Sequence, residues 1–91
     1  PKGMGQVKIH RVGNMIMYRG RNFSVKVDGQ DVRQIANNET IMFDVPVGDH
    51  SLSVHVDYHH AEQPITIQQG ELQIFEVQVR NMGLSVTLER V

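Results

Sequence analysis

The sequence predicts an all-β domain: a two-sheet antiparallel sandwich of seven to nine short strands, immunoglobulin-like or prealbumin-like in shape. Three observations predict it. The 91 residues contain 13 Val and 7 Ile but only 4 Leu and 2 Ala, and β-branched side chains suit a pleated sheet better than a helix. Apolar and polar residues alternate over several short runs. Turn-forming residues recur about every ten positions, a spacing typical of sandwiches and barrels.

The alternation of apolar and polar residues gives each predicted strand one apolar face, and these faces together predict a single core. It is clearest over residues 23–27, 41–45 and 75–79. We predict strands over residues 6–12, 15–19, 22–28, 31–36, 39–45, 50–59, 63–68, 72–80 and 84–90. The core is predicted from their apolar positions: Val7, Ile9, Phe23, Val25, Val27, Ile35, Ile41, Phe43, Val45, Leu52, Val54, Val56, Ile65, Ile67, Phe75, Val77, Val79, Val86 and Leu88.

Five short segments between these runs predict turns. Asp28-Gly29 lies between two strand-like runs and is a strong hairpin signal. Asn37-Asn38 can adopt the left-handed conformation that a tight turn needs. The other three turns are predicted at residues 46–49, 69–70 and 81–83.

Several of these elements recur in a known kind of domain. Tyr18-Arg19 precedes an extended run that ends in Val27-Asp28-Gly29, and residues 38–40 and 45–50 follow as a tight turn and a Pro-x-Gly-x-His turn. With Gly70-Glu71 before the last strands, the chain resembles the small bacterial PEGA-like and DUF2846-like β-sandwich domains of unknown function. The resemblance implies a sandwich that acts as a non-catalytic module, and it implies no active site.

Composition excludes several other classes of protein. The formal net charge is −1 and aromatic residues make up 5% of the chain, which argues against a nucleic-acid binder. The chain has no Cys and no apolar run long enough to span a membrane. We expect one domain over residues 6–91 after a disordered segment at 1–5, soluble and either cytoplasmic or exported and then processed.

A run rich in histidine offers a candidate metal site. If residues 50–59 form one strand, then His55, Asp57 and His59 project from one face, about 6.5–7 Å apart, while Tyr58 points inward. Two imidazoles and a carboxylate at that spacing can hold zinc, nickel or copper. The simpler interpretation is a solvated polar face, and protonation of the histidines near pH 6.5 would make it pH-responsive. We expect no cofactor beyond this alternative.

Charge is unevenly distributed along the chain. Residues 1–33 carry seven Lys or Arg against two Asp, whereas residues 34–91 carry two Arg against eight acidic residues. These charges either pair across strands or leave a positive patch that attracts a partner. Such a patch would be centred on Tyr18, Arg19 and Arg21.

The run 15–18 is apolar throughout, which predicts a fully covered strand or a self-associating edge.

We find no nucleophile elbow, phosphate loop or other catalytic residues, and we expect no enzyme. The predicted function is a non-enzymatic interaction module that binds protein, or itself, through an edge strand or the Tyr18–Arg21 segment. The alternatives are a metal- or pH-responsive domain and a carbohydrate-binding sandwich; the sequence identifies no small-molecule ligand.

Overall fold

The computed structural model describes residues 3–13, 18–80 and 85–91, and these form eight β-strands. In chain order the strands are β1 (Met4–Arg11), β2 (Phe23–Val27), β3 (Gln30–Ile35), β4 (Thr40–Pro46), β5 (Gly48–Val56), β6 (His59–Ile67), β7 (Leu72–Arg80) and β8 (Ser85–Arg90). The described ranges contain no helix that is long and apolar enough to cross a membrane. Every regular element of the described residues is a β-strand, which confirms the all-β prediction.

The strands form two four-stranded sheets that pack face to face. Sheet 1 has the order β4-β1-β7-β8, and sheet 2 has the order β3-β2-β5-β6. Every neighbouring pair is antiparallel except β1 and β7, which are parallel with Gln6 opposite Leu72 and Arg11 opposite Val77. The sandwich is confirmed, and the parallel pair is a feature that local sequence patterns did not indicate.

Successive strands reverse direction, so the turns gather at the two ends of a molecule that measures 41 × 20 × 20 Å. We call one the Tyr58 end; its described residues are 12–13, 18–22, 36–39 and 57–59. We call the other the Asp28 end; it comprises residues 28–29, 46–48 and 68–71. The two ends carry the candidate sites described below.

Sixteen apolar residues are buried between the sheets among the described residues, and all sixteen belong to the predicted core. Three further predicted core residues, Val27, Phe43 and Val79, are only half-buried and pack against the edge of the cluster. Each lies at or near a strand end or on an edge strand, where the opposite sheet covers less of it.

Residues with positive φ form the turns after β2 and β3. Asp28 and Gly29 both have positive φ, 53° and 81°, as a two-residue hairpin turn of type I′ requires. Asn38 has φ 60° in the predicted turn after β3. The predicted turn at 81–83 lies outside the described residues.

Three sequence-based expectations need correction. The predicted strand 50–59 is two strands, because β5 ends at Val56 and β6 begins at His59. The expected disordered segment 1–5 overlaps β1, because Met4 and Gly5 belong to this strand; residues 1 and 2 lie outside the described part. Most of the predicted strand 15–19 also lies outside it, and its last two residues form a turn.

Candidate functional site

A buried arginine fixes the segment that carries the predicted partner-binding residues. The alternation that buries Val7 and Ile9 also turns Arg11 inward, and its exposed fraction is 1%. Its guanidinium lies 3.9 Å from the centre of the Phe23 ring. It donates hydrogen bonds to the carbonyl oxygens of Tyr18 and Arg21, both at 2.6 Å, and to that of Ile35 at 3.1 Å.

Burial lowers the pKa of Arg11, because a charged guanidinium is less stable away from water. Three carbonyl oxygens and an aromatic face replace part of that hydration. Since the carbonyls belong to β3 and to the segment after β1, Arg11 joins sheet 1 to sheet 2 and to the Tyr58 end. The Tyr18–Arg21 segment is therefore attached to the core rather than free in solution.

Residues from both sequence-predicted sites meet at the Tyr58 end. Arg21 forms an ion pair with Asp57, through Nη2 and Oδ1. The Tyr18 ring contacts the His59 ring edge to face at a centroid distance of 6.3 Å. Arg19 is exposed beside them. The sequence predicted these residues as a partner site and a metal site, and the fold combines them on one surface.

Tyr58 is fully exposed, whereas the sequence predicted an inward position. The reason is that β5 ends two residues earlier, and Asp57 turns the chain with φ 51°. Tyr58 therefore occupies the tip of the β5–β6 hairpin instead of the apolar face of a strand. Together with Tyr18, Asp57 and His59 it borders an open cavity of about 420 Å³.

The predicted metal-ligand set does not share a strand face. His55 lies on β5, Asp57 in the turn and His59 on β6, where it is paired with Val56. His55 instead stacks on its cross-strand partner His60, with ring centres 5.4 Å apart and an interplanar angle of 13°. Within the described ranges no three His, Cys, Asp or Glu side chains gather closely enough to hold a metal ion.

His55 belongs to the outer face of sheet 2. Its Nε2 lies 2.9 Å from Ser53 Oγ. The pKa of His55 is lowered first by burial and then by the positive charge of Lys26. This imidazole is therefore neutral over a wider pH range than an exposed histidine.

A second cavity lies at the Asp28 end, between the edge strands β3 and β4. It has a volume of about 310 Å³. It is lined by Val27, Asp28, Gln30, Val32, Asp44, Val45, Pro46 and His50. We call this the β3–β4 groove; it combines an apolar floor with two carboxylates.

The histidine of the β3–β4 groove is held on both sides of its ring. His50 Nδ1 lies 2.6 Å from Asp28 Oδ2, and Nε2 lies 2.7 Å from the carbonyl oxygen of Pro46. Both partners are acceptors, so the doubly protonated ring fits, and the bond to Asp28 raises the pKa of His50. The same bond, with one from the Ser51 N–H, lowers the pKa of Asp28. Both ring nitrogens are engaged, which disfavours a role as catalytic base.

Each edge strand carries a feature that opposes the addition of another strand. A bulge interrupts the pairing of β3 with β2, and Pro64 removes a backbone donor from β6. On β4, the carbonyl oxygen of Met42 accepts a hydrogen bond from Arg33, at 3.2 Å. On β8, the carbonyl oxygen of Leu88 accepts one from Gln63, at 2.8 Å. The predicted edge-strand mode of binding gains no support from these contacts.

Two structural features of the Tyr58 end differ from the sequence-based prediction or were absent from it. The Asp57-Tyr58 turn contains no Gly, Pro or Asn, and the alternation of residues 52–58 continues through it, so no local signal separates the strands. The inward position of Arg11 does have a sequence signal, because Arg11 follows Val7 and Ile9 at the same spacing of two.

Comparison with known proteins identifies a fold relative and no family. No protein-family model matches the chain, and no curated protein matches it significantly. Among solved structures, the chain is similar to the N-terminal domain of AlgF from P. aeruginosa, with a TM-score of 0.55 and 18% sequence identity. The match covers 99% of this chain and 95% of that one. At this identity the similarity shows that the two share a β-sandwich fold.

Proposed function

We propose that the domain is a non-enzymatic module that binds a partner protein through the Tyr58 end. One observation carries the proposal: Tyr58 exposes its whole side chain at the tip of a turn that the Arg21–Asp57 ion pair holds in place. Tyr and Arg are enriched in protein interfaces, and they are among the residues that contribute most to binding energy.

The rigidity of the surface supports this proposal. Arg11 fixes the backbone of Tyr18 and Arg21, and Arg21 in turn holds Asp57 beside Tyr58. A surface that is ordered before binding loses little conformational entropy when a partner docks. The described contacts therefore favour binding with small rearrangement of the Tyr58 end.

The size of the Tyr58 end limits how stable a complex it can form. Two of the molecular dimensions are 20 Å, so one end offers on the order of 400 Å² of flat cross-section. Stable complexes bury about 800 Å² on each partner. We therefore expect a weak, rapidly exchanging complex rather than a permanent one.

Site-specific photocrosslinking tests the proposal. A photoreactive phenylalanine analogue replaces Tyr58, and in a matched control it replaces Thr66, which is exposed on β6 toward the opposite end. In the cells that produce the protein, we expect discrete adducts from position 58 that are absent from position 66. Adding Arg21→Ala should reduce their yield. Equal labelling from both positions, or no adduct from position 58, contradicts the proposal.

A carbohydrate ligand is the second candidate, and the exposure of Tyr58 favours it. An exposed aromatic face can stack on the apolar face of a sugar ring, and the neighbouring Arg21 and Asp57 can bond to hydroxyl groups. Titration of ¹⁵N-labelled protein with neutral and acidic oligosaccharides tests this alternative. Saturable shifts around Tyr58 that persist in Tyr58→Phe, which keeps the aromatic face, and disappear in Tyr58→Ala would favour a sugar over a protein.

A further inference from the structure

We propose that the Tyr58 end of one copy docks into the β3–β4 groove at the Asp28 end of a second copy, so that the chain associates head to tail. The inference rests on the proposed function of the Tyr58 end and names its partner as another molecule of the same chain. It is carried by three properties of the two ends: the shape of the groove, its apolar lining and the complementary charges.

The β3–β4 groove has the size and lining that an aromatic side chain requires. Its volume is about 310 Å³, at the lower end of the range for small-ligand cavities, and a tyrosine side chain is smaller than such a ligand. Val27, Val45 and Pro46 line it, and the rim residue Val32 is 41% exposed. Insertion of Tyr58 would cover apolar surface that both ends now expose to water.

Charge complementarity selects a basic occupant for this groove. Asp28 pairs with His50, whereas among the described residues Asp44 accepts a hydrogen bond of 3.3 Å from the neutral amide of Gln6 and forms no ion pair. At the opposite end Arg19 is exposed, and none of the described carboxylates forms an ion pair with it. Asp44, which forms no ion pair among the described residues, therefore borders the groove, and Arg19, likewise without one, lies at the end that carries Tyr58.

Contact between opposite ends is heterologous, so each copy keeps one free end after binding. Such contacts extend into chains unless the rotation between neighbours closes a ring. The small contact area predicts weak association, with monomers at micromolar concentration and longer species at higher concentration. Because charges contribute, added salt should shift the population toward monomers.

Sedimentation velocity on two complementary variants tests the proposal. Tyr58→Ala removes the inserting side chain, and Asp44→Arg reverses the charge at the groove; both positions are exposed, so both variants should fold. Over about 10 μM to 1 mM, we expect the native chain to form dimers and longer species. For each variant alone, we expect the dissociation constant of self-association to rise about 30-fold, the loss typical of a residue central to an interface.

The mixture of the two variants gives the decisive result. Tyr58→Ala retains an intact groove and Asp44→Arg retains an intact Tyr58 end, so together they should form one heterodimer and stop there. Thr66→Ala is the matched control and should associate like the native chain. Association of either single variant at native strength, or a mixture that stays monomeric, refutes head-to-tail docking.

The outcomes also separate this inference from the proposed function. If the native chain remains monomeric throughout the concentration range while position 58 crosslinks to a different protein, the partner is not a second copy and the proposed function stands. If the chain is monomeric and position 58 gives no adduct, both proposals fail. Adducts from position 58 that contain only this chain, with a crosslink site in the β3–β4 groove, support both.

Discussion

Replacing Arg11 with methionine should destabilise the domain and release the segment that carries Tyr18 and Arg21. Methionine has a similar length and is apolar, so it can fill much of the space without any donor. The substitution removes three hydrogen bonds to main-chain carbonyl oxygens and the contact of the guanidinium with the Phe23 ring. The buried carbonyl of Ile35 then loses a donor that water cannot easily replace.

Opposing contributions determine how far Arg11→Met lowers the free energy of unfolding. A hydrogen bond to a charged group contributes about 1.5–3 kcal/mol, so three of them are worth roughly 4.5–9 kcal/mol. Methionine avoids the cost of burying a charge, which is several kcal/mol, and the carbonyls of Tyr18 and Arg21 regain water near the surface. We therefore expect the free energy of unfolding to fall by about 2–4 kcal/mol. Arg11→Lys keeps the charge, and although an ammonium group cannot reach all three acceptors, it can still donate to some of them. The free energy of unfolding should therefore fall less than in Arg11→Met.

Urea unfolding followed by far-UV circular dichroism measures this change, with ¹⁵N–¹H NMR spectra of the native and variant proteins alongside. The amide signals of residues 18–22 should shift or broaden in Arg11→Met, while those of the β2–β3 turn should not. A loss of less than about 0.5 kcal/mol with unchanged signals at 18–22 would refute the role assigned to Arg11.

Three further changes test other parts of the structure. The bond between His50 and Asp28 raises the pKa of His50 and lowers that of Asp28, so the pair stabilises the fold fully between about pH 4 and 6.5. This stabilisation disappears as pH rises through the raised pKa of His50, and the stability difference between native protein and His50→Gln, from urea midpoints, should shrink over that range. Gly5→Ala should cost roughly 1–3 kcal/mol or more, because an added Cβ would lie 2.5 Å from a side-chain carbon, whereas Gly20→Ala, with open space around it, should change thermal stability little. Phe75→Ala should cost about 3–5 kcal/mol in chemical denaturation, and a loss below about 1 kcal/mol would contradict its burial.

The core could be predicted from the sequence because period-two alternation is a local signal. Val7, Ile9 and Phe75 follow from it directly, and so does the inward position of Arg11 once the spacing is applied to a charged residue. The turn at Asp28-Gly29 was predictable because both residues tolerate positive φ. These features depend on a few neighbouring residues and need no knowledge of the partner strand.

The candidate site was less predictable because it depends on where strands end and which strands meet. Alternation continues from Leu52 to Tyr58, and only the fold reveals that Asp57 turns the chain and leaves Tyr58 in solvent. The ion pair between Arg21 and Asp57 joins residues 36 positions apart. Sequence patterns singled out Tyr18, Arg21 and Asp57 separately, but only tertiary structure brings them together.

The parallel pairing of β1 with β7 has a consequence for how the chain acquires its structure. β1 lies inside sheet 1, and its two neighbours, β4 and β7, are distant in sequence, whereas β2–β3 and β5–β6 are hairpins. Hairpins form in microseconds, but domains dominated by distant strand pairing fold in milliseconds to seconds. On a ribosome, sheet 2 can therefore assemble while β1 still lacks one of its neighbours. β1 precedes the other strands of this domain in the chain but is among the last to gain both neighbours, and until then its apolar face needs protection from aggregation.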